Sequence, residues 1–262
     1  MMTVGLIGQG AIAQHVAQGL DRRVAQLVLA LVRPGRDGAA QAALGRVRTA
    51  TTAPDGLPDV MLDCAGHQGL AQHGPAILRA GVPVITVSLG ALADAGLAAE
   101  LTAAATAGDT RLILCSGAIG GLDTLRAARM GHLTRVIYEG RKPPAGWRGS
   151  RAEEVLDLSA PLRHEVVHFD GDARQAALLY PKNANVAAAV ALAGLGFERT
   201  QVRLIADPDA AGNTHQITAS GDFGEMRLAI TGQTLPGNPR SSALAAMSIL
   251  AALADLRAPV RF

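Results

Sequence analysis

Three small residues near the start of the chain, Gly8, Gly10 and Ala13, follow the apolar run Val4-Gly5-Leu6-Ile7 and open a stretch of helical periodicity. A strand, a G-x-G-x-x-A turn and a helix start, in that order, make a cradle for phosphate. Gly8 permits the sharp turn off the strand. Gly10 has no Cβ, so a pyrophosphate can approach the backbone, and Ala13 lets the helix pack closely on the strand. The N–H groups of the first helical turn, with Ala11 and Ile12 at its start, then face the phosphates. The chemistry this spacing implies is dinucleotide binding. The same spacing also occurs in plain strand–helix turns of Gly- and Ala-rich chains, so its weight comes from the strand before it and the helix after it.

The end of the next apolar run, Leu27 to Val32, bears on which dinucleotide is bound. NAD-preferring folds place an acidic side chain there for the ribose 2′-hydroxyl. This chain offers Arg33 and Arg36, with no carboxylate before Asp37. Guanidinium forks suit a 2′-phosphate, so the expected cofactor is NADP or NAD, with NADP accepted. The alternatives are a solvated arginine loop, or Asp37 folding back onto the ribose.

Hydride transfer requires of the protein an oriented substrate, one proton-transfer group and cations for any carboxylates, because the cofactor carries the hard chemistry. His215 is the choice for proton transfer. It shares strand parity with Asn213, Ile217 and Ala219 and so points where apolar residues point, which equally suits a satisfied core histidine. Lys182, after Pro181 at a helix start, is the leading cation for a substrate carboxylate, against the reading of a surface lysine. Asn185 suits the nicotinamide carboxamide or ribose, or simply caps its helix. His67, at the carboxyl end of a strand, is either a ribose or nicotinamide neighbour or a capping histidine. The seven histidines form no H-x-H or H-E-x-x-H pair on a helix, and Cys64 and Cys115 stand apart, so no metal site is expected. No G-x-S-x-G elbow is present either.

The elements that must position these residues fall into two textures. Up to Cys115 the chain alternates short, wholly apolar runs with helical stretches, the signature of an α/β, Rossmann-type doubly wound parallel sheet. Beyond the glycine-rich bend Ser116–Asp123 the runs alternate with period two: Val136–Glu139, Val166–Phe169, Gln201–Ile205, Asn213–Ala219 and Met226–Ile230. That pattern gives a second α+β domain built on a mainly antiparallel sheet. Helices are expected at 173–180 and 184–194, with a final apolar helix from Ser241. With 262 residues, 49% hydrophobic content and a net charge of +2, a large core is within reach and a basic nucleic-acid surface is not. The immediate entry into a strand, the two unpaired thiols and the lack of a long charge-free apolar run point to a cytoplasmic protein without a membrane partner. An open antiparallel sheet invites a homodimer or higher homo-oligomer.

Several longer segments carry a family resemblance. CSGAIGGLD (115–123), RKPPAGW (141–147), YPKNANVAAAVALAG (180–194) and AGNTHQI (211–217) resemble the L-aspartate dehydrogenase family, and CAGHQGLAQHGP (64–75) and SLGALAD (88–94) fit it as well. The resemblance implies oxidative deamination of L-aspartate through iminoaspartate to oxaloacetate and ammonia, reversibly, with NAD or NADP. A role in supplying iminoaspartate to NAD biosynthesis is implied too. It assigns the active-site histidine to His215 and cofactor contacts to Ala118 and Asn185, and joins the C-terminal helix to the nucleotide-binding domain. The expected division is therefore 1–118 with 241–262, and 119–240. Arg33 and Arg36 stand where some relatives carry acidic or neutral residues, so the choice between NAD and NADP does not transfer. On architecture alone two rivals stay open. One is another two-domain reductase of the homoserine dehydrogenase or dihydrodipicolinate reductase kind, which should lack PKNANV and GNTHQI. The other is a non-catalytic dinucleotide sensor.

Overall fold

The computed structural model describes residues 1–181, 183–235 and 238–260, with backbone alone at 239 and 240. The chain divides into two compact units, Met1–Gly117 with Ala245–Phe262, and Ala118–Leu244.

The first unit runs β1 (Met2–Ile7), α1 (Ala11–Gly19), β2 (Ala25–Leu31), α2 (Asp37–Leu44), β3 (Arg48–Ala50), β4 (Val60–Asp63), α3 (His67–Arg79), β5 (Val84–Thr86), α4 (Ala95–Ala107) and β6 (Leu112–Leu114). Its six strands lie in the order β3-β2-β1-β4-β5-β6, all parallel. Strands covered on both faces need side chains that are apolar throughout, which is why β1 and β4 show no alternation. Val4, Leu6, Ile7, Met61 and Leu62 are all buried. Residues 89–93 form a separate 3-10 turn, and α4 begins only at Ala95. The reason is local: the Asp94 carboxylate accepts the N–H groups of Gly96 and Leu97 at 2.8 and 3.2 Å and caps the helix there.

The second unit contains α5 (Leu122–Ala128), β7 (Leu133–Lys142), β8 (Val166–Asp172), α6 (Ala173–Leu179), α7 (Asn185–Ala193), β9 (Thr200–Ala206), β10 (Asn213–Gly221) and β11 (Gly224–Gly232). A small hairpin, β12 (Thr234–Leu235) with β13 (Asn238–Ser242), precedes α8 (Ala243–Asp255), which enters the first unit at Ala245. The five-stranded sheet has the order β11-β10-β7-β9-β8, antiparallel except for the β7–β9 pair. Along β10 the buried positions are His215, Ile217 and Ala219, the period-two pattern of a strand with one core-facing side. No helix among the described residues is long and apolar enough to cross a membrane.

Candidate active site

In the first unit the strand order reverses between β1 and β4, and the carboxyl ends of β1, β2 and β4 meet there. In open α/β sheets ligands bind at such a reversal. A cavity of about 610 Å³ opens at this point, lined by Gly8, Gly10, Arg33, Arg36, Ala65 and Gln72 among others. Gly8 sits at φ 96°, a conformation that favours glycine, and a Cβ there would stand 3.0 Å from the Ala65 Cβ. Ala65 is itself fixed. Its N–H donates to Asp63 Oδ1 at 3.1 Å, while the Thr86 hydroxyl donates to Asp63 Oδ2 at 2.7 Å. Burial pushes the Asp63 carboxyl above its usual range, with hydrogen bonds pulling the other way. The β4–α3 turn is thus clamped from below and closes tightly over Gly8.

The cavity fits a dinucleotide on its own evidence. A Cβ on Gly10 would meet nothing within 4 Å, so backbone is open to a ligand. The buried Gln9 Oε1 has no hydrogen-bond partner among the described residues. The first N–H groups of α1, Ala11 and Ile12 among them, have no partner within the helix, as at any helix start. His67 is the first residue of α3, but the cavity is lined from that helix by Gln68, Gly69, Gln72 and His73 instead.

In the second unit a polar cluster lies within an otherwise apolar layer. Tyr138, Gly140 and Lys142 alternate along β7 on one face, and β10 sets Gly140 opposite His215 and Tyr138 opposite Ile217. The Tyr138 hydroxyl and His215 Nδ1 are 2.7 Å apart, with the two rings stacked at 6.0 Å. Gly140 makes this possible, since a Cβ there would stand 2.8 Å from the Tyr138 hydroxyl. Lys142 Nζ donates to Asn183 Oδ1 at 2.7 Å and sits 4.8 Å from the centre of the Trp147 ring. Trp147 is fully buried and donates Nε1–H to the Ile205 carbonyl at 3.0 Å. Its ring meets His168 edge-on at 4.4 Å, and His168 Nδ1 lies 3.2 Å from the Tyr180 hydroxyl.

Burial dominates the electrostatics of this cluster. It lowers Lys142 from 10.5 to about 8. Burial first, and then the Lys142 charge, lower both His215 and His168 to about 4, so both imidazoles are neutral near pH 7. Burial also pushes the Tyr138 phenol well up, which keeps it protonated. His215 therefore has Nδ1 engaged by a neutral phenol, and no described residue hydrogen-bonds its other nitrogen.

The remaining expected site residues are spread over the second unit. Ala118 is buried at the unit's first position, and Asn185 is the first residue of α7. Lys182 lies outside the described residues. Sequence reasoning missed Tyr138, Lys142, Trp147, His168, Tyr180 and Asn183. One signal was available: in Tyr138-x-Gly140-x-Lys142 a lysine occupies core-facing parity two residues beyond a glycine. Among the described residues no group of three His, Cys, Asp or Glu side chains could hold a metal ion.

Comparison with known proteins bears on both units. Residues 8–114 match the family described as homoserine dehydrogenase, NAD binding domain, and residues 123–256 match aspartate dehydrogenase, C-terminal. The L-aspartate dehydrogenase of Ruegeria pomeroyi is 60% identical over 98% of this chain and 94% of its own length. The chain belongs to the L-aspartate dehydrogenase family. The L-aspartate dehydrogenase of Cupriavidus taiwanensis is 46% identical over 97% of each chain. Among solved structures, aspartate dehydrogenase from Thermotoga maritima superposes with a TM-score of 0.79 at 27% identity, covering 100% of this chain and 99% of that one. A hyperthermophilic archaeal homoserine dehydrogenase in complex with NADPH shares the fold, with a TM-score of 0.60 at 11% identity and 98% of each chain covered. Within the L-aspartate dehydrogenase family, the C-terminal match spans both β10, with His215, and β7, with Tyr138 and Lys142.

Proposed function

We propose that this chain is an NAD(P)-dependent L-aspartate dehydrogenase, converting L-aspartate reversibly through iminoaspartate to oxaloacetate and ammonia. When bound, the oxidised nicotinamide supplies the acceptor for the hydride that leaves the aspartate Cα. Gly8, Gly10 and the N–H groups of Ala11 and Ile12 cradle the pyrophosphate, and Arg33 and Arg36 reach a 2′-phosphate, so NADP is accepted. The family resemblance adds Ala118 and Asn185 to the cofactor contacts, and His67 stands at the start of α3 beside the lining residue Gln68. The α-ammonium of aspartate must lose a proton before hydride can leave, and His215 takes part in that transfer through Nε2. Oxidation converts the neutral amine into a protonated imine, and addition of water then releases ammonium and oxaloacetate.

The observation that carries this reading is the neutral, buried imidazole of His215, held by Tyr138 within the region matched by the aspartate dehydrogenase C-terminal family. The test is His215→Ala. Removing a positioned proton-transfer group costs about 100- to 10,000-fold in turnover. Unchanged turnover with unchanged cofactor affinity would remove His215 from the mechanism. We further propose a cytoplasmic location, on the sequence reading alone, and a homodimer or higher homo-oligomer, supported by the edge position of β11 among the described strands and by its alternate exposed residues. Size-exclusion chromatography with light scattering tests it, and a monomer at assay concentration would exclude it.

A further inference from the structure

A buried ammonium ordinarily has a carboxylate beside it, because desolvating an unpaired charge is costly. Lys142 is 7% exposed, and no Asp or Glu oxygen among the described residues lies within ion-pair distance of it. The few residues outside the description, Lys182, Pro236, Gly237, Arg261 and Phe262, include no acidic side chain. What Lys142 does have is a neutral amide oxygen, Asn183 Oδ1, and the face of Trp147. Both favour a cation, and neither neutralises it. The stem is held in place: a Cβ on Gly146 would stand 3.2 Å from the lysine Cβ and 3.4 Å from its Cδ. On the other side of this cluster His168, also 7% exposed, has no partner for Nε2 among the described residues. An ammonium lacking an anion and an imidazole nitrogen lacking a partner thus both border the same indole.

We infer that Lys142 is the cation that pairs with a carboxylate of the substrate, and that this pairing selects acidic over neutral amino acids. The inference rests on the dehydrogenase reading above and names the substrate contact within it. It also links binding to proton transfer. The Lys142 charge is one of the two causes that hold His215 down at about 4. A carboxylate seated on Lys142 cancels that charge, so His215 becomes a better proton acceptor when an acidic substrate is in place. An amino acid without the second carboxylate leaves the imidazole depressed. Lys142 therefore contributes to specificity twice, by attraction and by releasing the proton-transfer group.

The experiment compares Lys142→Met and Lys142→Arg with the unaltered protein. Loss of one partner from a buried charge pair costs about 30-fold or more in binding. For Lys142→Met the KM for L-aspartate should rise by at least about that factor, far more than kcat falls, and the preference for aspartate over asparagine and alanine should collapse. Lys142→Arg, which keeps the charge, should recover part of the affinity. Imidazole NMR of the unaltered protein should show the His215 pKa rise when succinate binds, a shift that a lysine without a role in carboxylate binding would not give and that Lys142→Met should abolish. Calorimetry with succinate, a dicarboxylate without an amine, should show binding to the cofactor-loaded protein and at least about 30-fold weaker binding to Lys142→Met. An unchanged aspartate KM and unchanged succinate affinity in a folded Met variant would overturn the proposal. Succinate binding that depends on Lys142, in a protein that does not oxidise aspartate, would uphold the carboxylate site and overturn the dehydrogenase reading instead.

Discussion

Tyr138→Phe removes one oxygen from a place where nothing can replace it. The hydroxyl lies 2.7 Å from His215 Nδ1, and the two side chains are 1% and 5% exposed. The hydroxyl occupies the space left by the missing side chain of Gly140. A buried nitrogen left unsatisfied costs about 1–3 kcal/mol. Taken as destabilisation of the fold, that lowers the thermal midpoint by roughly 2–4 °C for each kcal/mol. Taken as lost orientation of the imidazole in the transition state, it lowers kcat by about 5- to 150-fold, at 1.36 kcal/mol per tenfold. The KM for aspartate should change little, because Tyr138 touches the proton-transfer group and no carboxylate. Initial rates at saturating cofactor, together with a thermal melt of the same preparation, measure both effects. Full kcat with an unshifted midpoint would refute the claim that Tyr138 holds His215.

Three further outcomes follow from the same geometry. Arg33→Asp should weaken NADP much more than NAD, measured as the ratio of the two cofactor KM values; equal losses would mean that Arg33 does not read the 2′-phosphate. His215 and His168 sit at about 4 in the fold against an ordinary 6.5. Between those values the unfolded chain binds more protons than the folded one, so stability should rise with pH through this window and be lost as acid is added. Denaturant titrations at several pH values test this, and the slope should flatten in a His168→Phe variant. Lys142, lowered from 10.5 to about 8, carries its charge at a cost in the fold near neutral pH. Lys142→Met should therefore raise the unfolding free energy, by as much as about 3 kcal/mol at 1.36 kcal/mol per pKa unit, and a clear loss of stability would contradict the description of an uncompensated ammonium.

Local signals were legible in the sequence, and long-range assemblies were not. The turn at Gly8–Gly10 was readable because its strand, small residues and helix are contiguous. Elements whose pattern is weak were harder. The stretch Asp37–Leu44 forms α2 with Ala40 as its one buried residue, too little apolar periodicity to announce a helix. β7 is ten residues long, from Leu133 to Lys142, where alternation alone suggested Val136–Glu139. Gly140 and Lys142 occupy its core-facing positions, and a glycine and a lysine there hide the period. His215 could be picked out because its strand neighbours at the same parity are apolar. Its partner could not, because Tyr138 lies 77 residues away and only the β7–β10 register sets Gly140 opposite His215. The surroundings of Lys142 come from still more distant pieces: the turn at Trp147, β8 at His168, the end of α6 at Tyr180 and the loop at Asn183. No sequence spacing announces such a set, although two of the segments that contribute to it, 141–147 and 180–194, carried the family resemblance.

The central claim is that this chain oxidises L-aspartate with a nicotinamide dinucleotide, and the direct measurement is the near-ultraviolet absorbance of reduced cofactor. The purified protein, mixed with NADP or NAD and offered L-aspartate, asparagine, alanine or homoserine, should form reduced cofactor with aspartate and release ammonia in equal amount. Reduction with homoserine in place of aspartate, or none with any of the four while the cofactor still binds, would contradict it.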